Sequence, residues 1–166
     1  MTTAEEILNE KGAYMHSVSP DTSIFDALQL MISKRIGAIL VKEGHEIVGI
    51  WTERDLMHNT VKDGFTCQNA RIGDYMTTKL VSVPHTASIW ELKDMFLGRR
   101  LRHLLIERDE KYIGLLSVGD VTRASLQEQA DQLKELNDMV HLDYYDEWRW
   151  KKKLKRRVKL SETTAE

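Results

Sequence analysis

Displaced by 65 residues, residues 17–56, SVSPDTSIFDALQLMISKRIGAILVKEGHEIVGIWTERDL, fall without a gap on residues 82–121, SVPHTASIWELKDMFLGRRLRHLLIERDEKYIGLLSVGDV. Identical residues meet at Val18/Val83, Ser23/Ser88, Ile24/Ile89, Leu40/Leu105, Gly49/Gly114 and Asp55/Asp120. Related residues meet at Asp26/Glu91, Val41/Ile106, Val48/Ile113 and Thr52/Ser117. An internal repeat of this length commits the chain to building one small unit twice.

The unit reads from its local chemistry. Ser23-x-x-Asp26 and Ser88-x-x-Glu91 have capping-box spacing. Apolar residues then recur with a helical period, at Ile24, Ala27, Leu28, Met31 and Ile32 and at Ile89, Leu92, Met95 and Phe96. Two apolar runs follow, residues 38–41 and 47–51, joined by KEGHE with Gly44 at a hairpin turn; ERDEK joins the matching pair. A second helix starts after Thr52 and after Ser117. With a short extended piece at Val18 or Val83, each unit is β-α-β-β-α. Three strands with helices on one side leave an apolar sheet face open, so two units are expected to pack sheet to sheet in an α+β fold. The expected divisions are residues 1–62 for the first repeat with an N-terminal helix, 63–122 for the second, and 123–166 for a C-terminal helix and basic tail.

Composition sets the outer limits. Of 166 residues 42% are apolar, enough for a core and too many for a disordered chain. No apolar run approaches the roughly 18 residues of a membrane span, and the acidic start MTTAEEILNEKG lacks a signal peptide's layout, so a cytoplasmic protein is expected. Cys67 is the only cysteine, which excludes an internal disulfide and a multi-thiol metal site. The six histidines show no ligand spacing, and no nucleophile elbow or P-loop is present; neither an enzyme nor a metal protein is expected. The formal net charge of −2 hides an asymmetry: residues 149–159 carry eight basic side chains and no acid.

The ordered motifs, twice over, resemble the CBS-domain family arranged as a tandem pair, or Bateman module. GIWTERDL and GLLSVGDV resemble its Gly-h-h-[Thr/Ser]-x-x-Asp stretch, KRIGAILV and RRLRHLLI its second strand, and DYMTTKLVSV the entry into a repeat. The resemblance covers about residues 5–125. It implies two repeats related by a pseudo-two-fold axis, two clefts between them, and a disc-like homodimer. It further implies that each cleft is assembled crosswise. The first would combine Thr22, Ala27, Ile36, Gly37 and Ala38 with Ser117, Gly119 and Asp120. The second would combine Thr52, Arg54 and Asp55 with Ala87, Leu92, Leu101, Arg102 and His103.

The implied ligand is an adenosine-containing nucleotide, AMP, ADP or ATP, or S-adenosylmethionine, acting as a regulatory signal with no catalytic cofactor. Its chemistry suits the motif. A helix N-terminus with a hydroxyl favours phosphate, and a carboxylate one turn on can accept both hydroxyls of a ribose. The same spacing also serves plain helix capping. A ligand-free dimerisation scaffold, whose basic tail recruits a protein or nucleic acid, is therefore the alternative to a sensor that signals to an effector protein. Leu126, Leu133, Leu136 and Val140 form an amphipathic stripe ahead of that tail, expected to pack on the module or across a dimer. Trp51 and Trp90 are expected in the core or at a dimer interface.

Overall fold

The computed structural model describes residues 2–12 and 14–139. Helix α1 (Ala4–Lys11) is opened by a capping box between Thr3 and Glu6. The first repeat follows as β1 (Ser17–Val18), α2 (Ile24–Lys34), β2 (Ala38–Glu43), β3 (Glu46–Thr52) and α3 (Glu53–Asn59). The second gives β4 (Ser82–Pro84), α4 (Ile89–Arg99), β5 (His103–Arg108) and β6 (Lys111–Ser117). A further helix, α5, is described over 118–139. The chain divides into two units, Met1–Ala124 and Ser125–Glu166. The described part of the second unit, residues 125–139, is helical.

The repeats agree down to their irregularities. Each has a three-stranded sheet in chain order, with a parallel first pair and an antiparallel second pair. Ser17 pairs with Leu40 as Ser82 pairs with Leu105. The register shifts between Val41 and Lys42, and again between Ile106 and Glu107. Helices α2 and α4 end on left-handed arginines, Arg35 (φ 54°) and Arg100 (φ 53°). Ser88 and Glu91 close a full capping box; at Ser23 the hydroxyl accepts from the Asp26 amide, without the reciprocal bond.

Each repeat borrows from the lead-in of the other. Ala4, Ile7 and Leu8 of α1 lie in one apolar core with Ile89, Leu92, Leu104 and Leu116 of the second repeat. The Ala4 amide donates to the Ala87 carbonyl at 2.7 Å. Conversely, Ile72, ahead of the second repeat, is buried with Ile24, Ala27, Ile39 and Trp51 of the first, and its amide donates to the Thr22 carbonyl at 2.9 Å. The glycines explain the fit. A Cβ on Gly114 would strike Leu8, and one on Gly49 would strike Met76. Burying a side chain such as Ile7 or Leu8 stabilises by roughly 1.5–3 kcal/mol each, so the exchange ties both repeats into one cooperative unit.

Trp51 is fully buried, whereas Trp90 is largely exposed, with the Lys93 ammonium over its ring. Leu126, Leu133 and Leu136 are exposed. Val140 and the basic run 149–159 lie outside the described residues. No helix among the described residues is long and apolar enough to cross a membrane.

Candidate functional site

Strand β6 runs into α5 at Ser117, and β3 runs into α3 at Thr52. At both junctions a hydroxyl caps the helix and the carboxylate three residues on answers it. Asp120 Oδ2 accepts from the Ser117 amide at 2.8 Å and from the Ser117 hydroxyl at 2.7 Å. Asp55 Oδ2 accepts from the Thr52 amide at 2.8 Å and the Thr52 hydroxyl at 2.7 Å. The capping expected from spacing alone is therefore present, and it holds each carboxylate at a fixed place at the mouth of a cavity.

One cavity, of about 380 Å³, brings Ser117 and Asp120 together with Ile36, Gly37 and Ala38 from the start of β2. The other, of about 240 Å³, brings Thr52, Arg54 and Asp55 together with Leu101, Arg102 and His103 from the start of β5. The linings correspond through the repeat: Arg35/Arg100, Ile36/Leu101, Gly37/Arg102, Ala38/His103, Ser117/Thr52 and Asp120/Asp55. Five residues named from sequence lie outside these linings. Ala27 and Leu92 face the two cores. Ala87 is buried where α1 docks. Thr22 bonds through its backbone to Ile72 and Ser19. Gly119 is exposed on the first turn of α5.

The clefts differ in charge. In the larger, the Lys11 ammonium donates to Asp120 Oδ2 at 2.7 Å and to the Leu115 carbonyl at 3.0 Å. Burial works to raise the Asp120 carboxyl, but the Lys11 hydrogen bond, the Ser117 amide and hydroxyl and the Lys11 charge outweigh it and hold the group below the ordinary carboxylate range. Met76 is turned onto Gly49 as Leu8 is onto Gly114, which makes Lys79, three residues further on, the counterpart of Lys11; it lines the cleft but does not pair with Asp55, which accepts only from Thr52. The smaller cleft is instead lined by Arg54, Lys79, Arg100 and Arg102. None of these four has an ion-pair partner among the described residues.

His103 lines both cavities. Burial, then the charges of Lys11 and Arg102, push its imidazole down to about 4, against a smaller upward pull from Asp120. A third cavity, of about 790 Å³, opens at the hairpin turns; charges of both signs line it, including Lys42, Glu46, Asp109 and Lys111. No cluster of three or more His, Cys, Asp or Glu able to hold a metal ion occurs among the described residues.

Sequence reasoning passed over Lys11, Arg35, Lys79 and Arg100. The arginine pair was visible as a repeat identity. Lys11 was not, because its meeting with Asp120 depends on α1 crossing to the second repeat.

The CBS-domain family model matches residues 5–62 and 72–127. CBSX3, a mitochondrial CBS domain-containing protein of Arabidopsis thaliana, is 29% identical over 153 residues, covering 86% of this chain and 74% of its own. The crystal structure of a CBS-domain containing protein from Agrobacterium tumefaciens is 30% identical, with a TM-score of 0.71 over 75% of this chain and 99% of that one. CBSX2, of which an Arabidopsis thaliana form is chloroplastic, has been solved in complex with AMP. That structure is 25% identical, with a TM-score of 0.63 over 78% of this chain and 99% of the other.

Proposed function

The chain belongs to the CBS-domain family, with two copies in tandem, and from that premise we propose that it is a regulatory module that binds an adenosine-containing nucleotide in the inter-repeat clefts and signals to a partner. The observation that carries this reading is the correspondence of the two cavities. Position by position they place a capped helix start, a carboxylate and a left-handed arginine around one space. The carboxylate suits a ribose diol, and the hydroxyl with the arginine suits a phosphate. The AMP held by CBSX2 supports the same ligand class. At about 380 Å³ the Asp120 cleft falls within the roughly 300–1,000 Å³ of small-molecule sites, and the Asp55 cleft, at about 240 Å³, falls short of it. The Asp120 cleft is thus the better candidate for a whole nucleotide.

Signalling requires that the ligand bind two arrangements of the protein with different affinity. The exposed apolar residues of α2 and α4 suit a dimer as the carrier. Phe25 and Ile32 are exposed at the positions equivalent to Trp90 and Leu97. A two-fold pattern of this kind fits a self-complementary interface between two copies. No chemical conversion is proposed.

A ligand-free scaffold remains the second reading, favoured by the satisfied state of both carboxylates in their capping boxes. A thermal-shift screen with AMP, ADP, ATP, S-adenosylmethionine and a GTP control separates the two. A ligand at about 100 times its Kd stabilises a fold by roughly 2.7 kcal/mol, several degrees for a domain of this size. A selective adenosyl shift that disappears in Asp120→Ala supports the sensor; no shift with any of them, in protein shown to be folded and nucleotide-free, supports the scaffold.

A further inference from the structure

In the larger cleft the carboxylate meant for a ribose already has an internal cation on it. Asp120 Oδ2 accepts three protons, two from Ser117 and one from Lys11. An oxygen with two lone-pair sites has no room for a fourth donor. The other oxygen, Oδ1, faces only Arg123, at 3.9 Å, and that side chain is mostly in water. A cis-diol that engages both oxygens of Asp120 must therefore displace one of these donors, and Lys11 is the one that the helix cap does not hold in place. The Asp120 side chain is only 13% exposed and that of Lys11 35%, so the parting is not fully compensated by solvent. The displaced ammonium keeps only the neutral Leu115 carbonyl, in a cavity whose lining holds no carboxylate besides Asp120. Within the lining only the incoming ligand can supply a negative charge; the Glu53 carboxylate lies against Gly37, outside it.

We propose that Lys11 makes the Asp120 cleft select a phosphorylated nucleoside over a neutral nucleoside or a cationic adenosyl compound. The diol takes Asp120 from Lys11, and the ligand's phosphate returns an anion to the ammonium. This rests on the nucleotide reading above and narrows it. The Asp55 cleft is the internal contrast: its lysine, Lys79, lines the cavity without bonding Asp55, whose carboxylate accepts only from Thr52 and can take a neutral diol without breaking an ion pair.

The test is calorimetric titration of the full chain with AMP and with adenosine, the heat lost in Asp120→Ala being assigned to this cleft. Wild type is expected to prefer AMP over adenosine by at least about tenfold. In Lys11→Met, which removes the charge and keeps an unbranched side chain, adenosine should bind more tightly and AMP more weakly, so that the preference collapses; Lys11→Arg should keep it. An unchanged ratio in Lys11→Met overturns the proposal while leaving the nucleotide reading intact. Weaker AMP binding with adenosine unaffected also overturns it, since Lys11 would then be a plain phosphate contact. Absence of AMP and adenosine binding in wild type overturns both.

Discussion

Asp120 has two duties that separate on mutation. As a cap partner it closes the box with Ser117 and neutralises Lys11. Asp120→Ala is expected to cost a cap's worth of stability, roughly 0.5–2 kcal/mol in a denaturant titration, and in the same protein to abolish nucleotide binding in that cleft. His103 gives a second test. Its pKa falls from an ordinary 6.5 in the unfolded chain to about 4 in the fold, so between those values the unfolded chain holds a proton that the fold refuses. Its contribution is fully present above pH 6.5 and is lost as pH falls toward 4, by up to on the order of 3 kcal/mol. Asp120 titrates below that window, since Lys11 and Ser117 hold its carboxyl under the ordinary 3.8. His103→Asn should flatten urea-unfolding stability between pH 6.5 and 4; an unaltered slope would show that the imidazole is not kept neutral. The residue pattern Ser-x-x-Asp was legible in sequence because capping is local. The Lys11–Asp120 pair, 109 residues apart, was not, since only the assembled fold brings it together.

Among elements, the two hairpins solve one problem differently. The first turns at Gly44 (φ 58°), the second at Asp109 and Glu110, both left-handed at 49° and 60°. A two-residue turn with positive φ at both centres favours Asn-Gly. Asp109→Asn with Glu110→Gly should therefore raise stability by about 1 kcal/mol, read as a shifted urea midpoint at unchanged slope. At the other face, Gly114 lies directly under Leu8. Gly114→Val should push α1 off its core and cost about 1–3 kcal/mol, with protease cutting before the second repeat. The helices, strands and hairpins were legible because periodicity and turn residues mark them locally. The exchange of lead-ins was not: AEEILNEK announces a helix, and nothing in its own pattern says which repeat it will pack against.

At the scale of the whole molecule, repetition gives two clefts of unequal chemistry. One has an internal ion pair, the other four cations around a single carboxylate. The same repetition leaves matched apolar side chains on α2 and α4, with Ile32 75% and Leu97 78% exposed. Ile32→Lys with Leu97→Lys should leave the monomer's melting temperature nearly unchanged and lower the mass seen by sedimentation toward one chain. A lower melting temperature with unchanged mass would place these residues in the fold's own packing. The crosswise plan of the clefts was legible through family resemblance, and the structure brings most of the named residues to the two cavities. Ala27 and Leu92 were misdirected for a physical reason: alternating helix positions look alike in sequence, and these two point into the cores. The most direct measurement is equilibrium dialysis of labelled AMP against wild type, Asp120→Ala, Asp55→Ala and the double variant. Saturable binding to wild type, lowered by Asp120→Ala and lost in the double variant, is the predicted result. Binding unaltered in the folded double variant, or none to nucleotide-free wild type, would contradict a ligand held by these carboxylates.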